Sequence, residues 1–214
     1  MIGHSPFPCA PLFTARLEAG DGTPILRMYE YERLRGITYQ MDFSLPEGSP
    51  LLLCRMRVTN LQNKTIPMYW WSNIAVPETP DRRIVVPTDE SYYSFWSTVA
   101  KTPIPMRAGK DVTYPVNTEC SMDYFYRIPE ENRKYIACLD KDGYGLVQTS
   151  TRRLKGRKLF VWGQSEGGHT WQRFLTDKAG DYSEIQAGLA RTQYECIPMP
   201  PCSAWEWVEG YGAM

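Results

Sequence analysis

The chain has no excess of charge of either sign. Among its 214 residues, 24 lysines and arginines balance 24 aspartates and glutamates. No run of five like charges creates a local field, so there is little to hold a nucleic acid or an anionic membrane surface. We therefore expect neither nucleic acid nor membrane among its partners.

Long apolar segments are also missing. The longest apolar stretches are a few residues long, whereas a helix needs roughly 20 apolar residues to cross a bilayer. The first ten residues have neither the basic start nor the apolar segment of a secretion signal. The sequence thus predicts a soluble, cytoplasmic protein.

Histidine is scarce and the cysteines are not paired. The chain has six cysteines without a C-x-x-C motif, and its only histidines are His4 and His169. A zinc site would have to be assembled from distant strands, and a chain of this length does not need disulfides. We expect no metal, no cofactor, and reduced, mostly buried thiols.

A helical pattern is absent as well. No window of 12 or more residues carries a convincing apolar helical stripe, whereas alternating segments and turn residues recur along the chain. This pattern predicts an all-β, antiparallel sandwich with few or no helices. We expect one domain over residues 1–214, with an extended lead-in at 1–12. At 77–117, where prolines recur, we expect a loop-rich excursion with short strands such as RIVVP.

Several strands can be read directly from the alternation. Hairpins are predicted for FTARLEA with ILRMYEYERL, for Ile37–Leu45 with LLLCRMRVTN, and for KYIACLD with GYGLVQTST. MYWWSNIAVP, RKLFVWGQ and SAWEWVEGYG are also predicted as strands. The segment SEGGH is interpreted as a Gly-rich loop and TWQRFLTD as a further strand, while Ser121–Pro129 is compatible with a short helix or a strand.

The stretch Tyr182–Gln193 is the element around which we expect the other strands to be arranged. If Ile185 and Ala187 face the core, a period of two places Tyr182, Glu184 and Gln186 together on the opposite side. An aromatic ring, a carboxylate and an amide in one row suit a sugar or another polyhydroxylated ligand. The alternative is a solvated strand face whose polar residues have no ligand.

A glycine interrupts this stretch at Gly188. Glycine permits a bend or bulge, and a shift of one residue would return Arg191 and Gln193 to the side of Glu184. These two side chains would then extend the polar row.

Four segments resemble one bacterial family: YWWSNIAVPE, GLVQTSTRRLKGRKLFVWGQ, EIQAGLARTQYE and IPMPPCSAWEWVEGYG. The chain is similar from about Pro8 to Gly212 to domain of unknown function 5107, which occurs alone or ahead of tetratricopeptide repeats. No repeat array follows Gly212, and the family's usual amino-terminal β region is absent. We therefore expect a fragment with an exposed sheet edge or apolar face, and a possible homo-oligomer that covers it.

The resemblance implies the supersandwich of the galactose mutarotase-like proteins, and carbohydrate handling by analogy. Opening an aldose ring needs a base for the anomeric hydroxyl and an acid for the ring oxygen, and mutarotases use a glutamate and a histidine. Glu184 is the candidate base, and His169, on the Gly167-Gly168 turn, is the candidate acid. The alternatives are a loop histidine and a carboxylate paired with Arg191 or Arg157.

Recognition residues are the second group of candidates. Trp70 and Trp71 point to opposite sides of one strand, so one enters the core and the other is free to stack on a pyranose. Asn73 shares the side of Trp71, and Trp162 with Gln164 repeats the spacing of ring and amide. The remaining candidates for binding a carbohydrate are Arg82, Gln186 and Arg191.

Two functions remain open at this point. The first is an enzyme or enzyme domain that acts at the anomeric centre of a sugar, like an aldose epimerase or a glycosidase, with Glu184 and His169 as base and acid. The second is a sugar-binding or scaffold domain without turnover. They differ in one geometric expectation, because the enzyme needs both side chains across one pocket.

Overall fold

The computed structural model describes residues 10–95, 98–177 and 179–214. His4 lies outside the described residues, as do Cys9 and most of the predicted lead-in. The predicted all-β, antiparallel sandwich is confirmed, because strands dominate the described residues and every pair of neighbouring strands is antiparallel.

The strands are short and joined mainly by tight turns. In chain order they are β1 (Phe13–Glu18), β2 (Pro24–Glu32), β3 (Ile37–Ser44), β4 (Leu52–Asn60), β5 (Ile66–Met68), β6 (Trp71–Pro77), β7 (Arg83–Val85), β8 (Glu90–Phe95), β9 (Thr98–Pro103), β10 (Met106–Arg107), β11 (Lys110–Asp111), β12 (Met122–Tyr126), β13 (Lys134–Leu139), β14 (Gly145–Ser150), β15 (Gly156–Val161), β16 (Tyr182–Gly188), β17 (Ile197–Met199) and β18 (Ser203–Ala213). A 3-10 turn spans Pro115–Asn117, and the helix α1 spans Glu166–Thr176. All three predicted hairpins are present as β1–β2, β3–β4 and β13–β14.

Two large sheets carry the fold. The larger sheet has eight strands in the order β1-β2-β3-β4-β18-β14-β13-β7, and the smaller has six in the order β6-β16-β15-β12-β8-β9. The pair β5–β17 and the hairpin β10–β11 form two further small sheets. The element predicted to organise the chain, β16, lies inside the six-stranded sheet between β6 and β15.

The first core lies between the six-stranded sheet and the β13–β7 end of the larger sheet. Alternate residues of the strands face inward, as period two requires. Tyr124, Leu159 and Ile185 from one sheet meet Ile84 and Ile136 from the other, and all five are at most 2% exposed. The predicted inward orientation of Ile185 is thereby confirmed.

The second core lies under the pair β5–β17, which covers the inner side of β3, β4 and β18. Met56 and Trp207 of the larger sheet pack there against Met68 of β5 and Met199 of β17. Ala187 of β16 also belongs to this cluster, so β16 contributes to both cores.

A buried carboxylate joins the two sheets between these cores. Glu209 of β18 is 1% exposed and accepts hydrogen bonds from four donors. These are Ser72 Oγ at 2.6 Å, Gln148 Nε2 at 3.1 Å, Trp207 Nε1 at 3.1 Å and Tyr211 OH at 2.9 Å. Because Ser72 belongs to β6, this cluster fixes the inner side of β6 to the larger sheet.

The prediction for the segment after β15 is wrong. SEGGH and the following residues form α1 rather than a loop and a strand. The excursion at 77–117 contains the expected short strand in RIVVP as β7, and it also contains β8 and β9, two strands of the six-stranded sheet that were not predicted. The ambiguous segment Ser121–Pro129 contains the strand β12.

The thiols only partly match the expectation. Cys54 and Cys138 are buried, whereas Cys196 and Cys202 are exposed.

At the open edge of the larger sheet, β1 has exposed residues at five of its six positions, and Phe13 is 60% exposed. Self-association through this edge stays a prediction.

Candidate functional site

The candidate site lies on the outer face, which we define as the side of the six-stranded sheet that faces away from the first core. Strand pairing places Asn73, Gln186, Lys158 and Phe125 in one row across four strands. The neighbouring row contains Ala75, Glu184, Phe160 and Asp123. The predicted row of β16 therefore continues onto three other strands.

Glu184 lies on the second strand of the outer face and interacts with two amides. Asn73 Nδ2 donates to Glu184 Oε2 at 2.6 Å, and Gln186 Nε2 donates to the same oxygen at 2.9 Å. Neither Arg157 nor Arg191 contacts this carboxylate in the described part of the chain, so the arginine pairing considered from the sequence is absent. Among the described residues, Glu184 Oε1 and Asn73 Oδ1 accept no hydrogen bond.

The hydrogen bonds continue from Gln186 across the sheet. Gln193 Nε2 donates to Gln186 Oε1 at 2.8 Å, and Lys158 Nζ donates to Gln193 Oε1 at 2.6 Å. Lys158 Nζ also pairs with Asp123 Oδ1 at 2.7 Å. We call the connected residues Asn73, Glu184, Gln186, Gln193, Lys158 and Asp123 the polar chain.

Aromatic rings enclose the cation of the polar chain. Lys158 Nζ lies 5.5 Å from the ring centroid of Phe125 and 5.4 Å from that of Phe160. A cation over a ring face is attracted by the ring quadrupole. The two rings and Asp123 therefore hold the ammonium group in place.

Trp71 lies flat against the backbone of two neighbouring strands at one end of the outer face. A Cβ at Gly188 would come within 2.2 Å of the indole, and a Cβ at Gly156 within 2.6 Å. Both glycines are therefore needed for this close approach, which explains Gly188 better than the bulge expected from the sequence. The other side of the ring meets Phe125 edge-on, with ring centroids 6.1 Å apart.

One half of the outer face is covered and the other is open. Near Trp71, the segment after β16 covers the sheet through Gln193 and Tyr194, whose hydroxyl lies 2.5 Å from Ser94 Oγ. Lys158 and Gln186 are consequently only 4% and 5% exposed. Toward the start of β16 the face is open, and we call this area the open half, formed by Asn73 and Ala75, which are exposed, and by Asp123, Phe160 and Glu184, which are half-buried.

Helix α1 borders the open half. Ser165 caps its first turn by accepting a hydrogen bond from Gly168 N at 3.2 Å. A Cβ at Gly168 would lie 2.1 Å from the carbonyl oxygen of Gly163, so glycine lets the helix approach the end of β15. The buried Gln172 then ties α1 to β16, because it donates to Tyr182 O at 2.8 Å and accepts from Tyr182 N at 3.2 Å.

An aromatic ladder connects the open half to α1. Phe160 and Trp162 pack edge to face with centroids 4.8 Å apart, and Trp162 stacks on Trp171 at 5.6 Å with an angle of 18° between the rings. Trp171 meets Phe174 edge-on at 5.9 Å. Because Phe160 is paired with Glu184 across β15 and β16, the ladder begins beside the carboxylate.

His169 lies on the side of α1 that faces away from the aromatic ladder. His169 and Trp171 are two residues apart, which is about 200° around a helix, so the imidazole points away from the ladder. Its Nδ1 lies 4.0 Å from Asp181 Oδ2. Glu184 is hydrogen-bonded to Gln186 on the outer face. Within the described residues, no contact connects Glu184 with His169. The Gly167-Gly168 turn expected to present His169 is the first turn of α1.

A buried acid lies near His169. Glu78 accepts hydrogen bonds from Gln164 Nε2 at 2.8 Å and from Ser183 Oγ. Burial raises the pKa of the Glu78 carboxyl above its ordinary value, and the charge of Asp181 acts in the same direction. Gln164 is thus engaged with this acid and lies beyond the end of the outer face.

The other candidates are dispersed. Trp70 packs in the second core against Trp207, with ring centroids 5.8 Å apart, which leaves Trp71 as the member of the pair on the outer face. Arg82 binds Tyr144 O at 2.8 Å beside the larger sheet. Arg191 lies 3.9 Å from Glu130 and does not join the polar chain, whereas Gln193 does. The structure thus brings Trp71, Asn73, Glu184, Gln186 and Trp162 together.

Sequence reasoning missed Lys158, Asp123, Phe160 and Trp171. Two of them carry a signal in retrospect, since Lys158 and Phe160 alternate with the apolar residues of RKLFVWG as outward positions do. Trp171 could not be found, because its segment was interpreted as a strand.

A second concave area lies apart from the outer face. A cavity of about 190 Å³ opens beside the hairpin β10–β11 and is lined by Arg107, Thr118 and Tyr124, among others. Within residues 10–95, 98–177 and 179–214, no group of three histidine, cysteine, aspartate or glutamate side chains could hold a metal ion. No helix in the same ranges is long and apolar enough to cross a membrane.

Solved structures define the class of this fold. A TPR-domain containing protein from Parabacteroides distasonis is 21% identical, with a TM-score of 0.86, over 100% of this chain and 36% of its own. A galactose mutarotase-like protein from Clostridium acetobutylicum is 11% identical, with a TM-score of 0.68, over 95% of this chain and 66% of its own. A galactose mutarotase related enzyme from Lactobacillus acidophilus is 8% identical, with a TM-score of 0.60, over 94% of this chain and 71% of its own.

These likenesses define a β-sandwich of the galactose mutarotase-like kind, and at such identities they establish the fold alone. The family follows from the sequence itself, because residues 1–199 match Domain of unknown function (DUF5107). The chain belongs to this family. It spans about a third of the length of the Parabacteroides protein.

Proposed function

We propose that the open half of the outer face binds a carbohydrate without turning it over. The single observation that carries the proposal is the arrangement of free acceptor oxygens beside aromatic rings. Among the described residues, Glu184 Oε1 and Asn73 Oδ1 have no donor, and Phe160 lies next to them in the sheet. Sugars offer hydroxyl donors at their edges and an apolar face of C–H groups, which match such a site.

The polar chain holds these acceptors in place before a ligand arrives. Glu184 Oε2 is fixed by two amides, and Gln186 is fixed in turn by Gln193. A preorganised site loses less conformational entropy on binding. Gln186 is 5% exposed, so we assign it a positioning role rather than direct contact.

The charges favour a neutral sugar. Asp123 and Glu184 are negative, and the one cation of the polar chain, Lys158, is already 2.7 Å from Asp123. A uronate or a phosphate would meet unneutralised carboxylate at Glu184. Arg82 and Arg191, the two arginines among the binding candidates, lie elsewhere.

The placement of His169 favours binding over catalysis. An acid and a base for ring opening must reach one sugar ring together, whereas His169 lies on the side of α1 that faces Asp181. The fold is similar to that of a protein described as galactose mutarotase-like. This similarity supports a sugar as the ligand, but it does not support the same reaction. Aldose epimerisation by this chain remains the alternative, with Glu184 as its base.

A glycan array of neutral mono- and oligosaccharides, followed by calorimetry, tests the proposal. Glu184→Gln keeps the shape and removes the charge, so it should weaken the binding of the selected sugar about tenfold, the difference between a charged and a neutral acceptor. The control is Glu47→Gln, an exposed position in the turn after β3, which should bind like the wild type.

Two results would contradict the proposal. One is a folded wild type that binds none of the sugars, and the other is unchanged affinity in Glu184→Gln. Anomerisation of an aldose by the wild type, lost about a hundredfold in Glu184→Gln, would establish the enzymatic alternative instead.

A further inference from the structure

The one helix among the described residues exposes a large apolar surface. Trp171, Phe174 and Leu175 of α1 are 50%, 75% and 47% exposed. Their spacing of three and four residues places them on one side of the helix, while Gly168 and Gln172 on another side are buried. Large apolar side chains grouped on a surface indicate an interaction site.

We infer that the carbohydrate is a chain of several sugar units, and that Trp171 and Phe174 form a second stacking platform for it. This inference rests on the proposed function, since the first sugar unit occupies the open half. It names the class of ligand as an oligosaccharide and adds two residues that lie beyond the sheet.

The aromatic ladder makes the two areas continuous. From Phe160, beside Glu184, successive ring contacts lead through Trp162 to Trp171 and Phe174 at 4.8, 5.6 and 5.9 Å. One pyranose covers about one ring, so a single sugar on the open half would leave the rings of α1 unused. A chain that continues from the open half would pass over them.

The platform is held rigidly, as stacking requires. Trp162 supports one side of the Trp171 ring with only 18° between their planes. Gln172 ties the next residue of α1 to the backbone of β16 by two hydrogen bonds. Little conformational freedom of Trp171 remains to be lost when a sugar stacks on it.

The size of the surface argues against a protein in this position. A stable protein interface buries about 800 Å² on each partner, more than three side chains of one helical face provide. Polar and charged residues, Glu166, Thr170 and Arg173, lie between and around the apolar ones on the exposed helix surface. This mixture of rings and hydrogen-bonding groups resembles the open half rather than a hydrophobic interface core.

The test compares chain lengths. The probes are glucose, galactose, mannose and xylose with their linear 1,4-linked di-, tetra- and hexasaccharides, each titrated by calorimetry into the wild type, Trp171→Ala and Phe174→Ala. For the bound series, we expect the wild type to bind the tetrasaccharide at least about tenfold more tightly than the monosaccharide, because each stacked ring adds affinity. Both variants should lose most of this gain and keep the monosaccharide affinity.

The control is Tyr144→Ala, a ring that is 67% exposed in the turn between β13 and β14 of the larger sheet, and it should keep the full gain. Phe174 is so exposed that its removal cannot prevent folding, and an unchanged melting temperature will verify this. Equal affinity of the wild type for mono- and tetrasaccharide, or an undiminished gain in both variants, would overturn the inference and leave the proposed function intact.

Failure to bind any probe would overturn the proposed function together with the inference. A third result would assign the surface differently. If light scattering finds a wild-type dimer that Trp171→Ala converts to a monomer, with no effect of chain length on sugar binding, α1 is an interface between copies of the chain and the inference is wrong.

Discussion

Removal of Glu209 is the most informative perturbation of the fold, because this residue positions the candidate site from behind. Ser72, which donates to Glu209 at 2.6 Å, lies between Trp71 and Asn73 on β6, with its side chain directed inward. Glu209→Ala should therefore reduce both stability and the order of the outer face.

The expected loss of unfolding free energy is about 4 kcal/mol. Gln148 and Trp207, at 1% and 2% exposure, would each keep a buried donor without an acceptor, and such a donor costs about 1–3 kcal/mol. The carboxylate also offsets the buried cation of Arg157, since burial lowers the pKa of that guanidinium to about 10 and Glu209 opposes the shift. Ser72 Oγ retains a longer contact to Ala187 O at 3.4 Å, which limits the loss.

Urea denaturation followed by tryptophan fluorescence measures this loss. The control is Glu206→Ala on the same strand, whose half-buried carboxylate lies at the sheet surface, 2.6 Å from Arg55 and 3.2 Å from Arg57. A surface pair of this kind contributes about 0–1 kcal/mol. A loss below about 1 kcal/mol for Glu209→Ala, or equal losses for both variants, would refute the structural role assigned to Glu209.

Three further predictions concern the site and its surroundings. Trp71→Ala should cost about 2–3 kcal/mol of stability, because the indole covers Gly188 and Gly156, and unchanged denaturation would contradict that packing. Gly188→Ala should cost about 1–3 kcal/mol by displacing the indole, and much less in the Trp71→Ala background, where additive losses in a double-mutant cycle would contradict the contact. Burial raises the pKa of Glu78, so the folded state binds the proton of this carboxyl more tightly than the unfolded state does. The stability of the wild type relative to Glu78→Gln should therefore improve as the pH falls from 7 through that pKa. A stability difference that is constant with pH would contradict the burial of Glu78.

The strands could be predicted because period-two alternation is a local property. The inward Ile185 and Ala187 and the outward Glu184 and Gln186 follow from the alternation of four consecutive residues of β16, and the structure confirms their orientation. The hairpins were equally accessible, because turns such as Gly20-Asp21-Gly22 lie between alternating segments.

The helix could not be predicted from the same rules, because its glycines suggest a loop. Gly168 is required where α1 touches the carbonyl of Gly163, five residues earlier, a close approach that the turn signals of the sequence do not indicate. Trp171, Phe174 and Leu175 do have helical spacing, but they face solvent. The helix is only 11 residues long, and over so short a segment the apolar spacing of a helix cannot be distinguished from that of a strand.

Contacts between distant strands limit what the sequence predicts about the site. Gln193 follows Lys158 by 35 positions, yet their side chains are hydrogen-bonded at 2.6 Å. The partners of Glu184 likewise depend on β6 pairing with β16. The candidate residues on one strand could therefore be grouped correctly, whereas Arg82, Arg191 and His169 were assigned to the site without any information on strand order.

Nuclear magnetic resonance of the tryptophan indole groups tests the central claim most directly, because these rings are distributed between the outer face, α1 and the core. The protein, labelled with ¹⁵N, is titrated with the oligosaccharide selected by the array. We predict that the indole N–H signals of Trp162 and Trp171 shift as the sugar binds, while those of Trp70 and Trp207 in the second core stay in place. Saturable binding that leaves Trp162 and Trp171 unchanged would contradict the assignment of the outer face as the carbohydrate site.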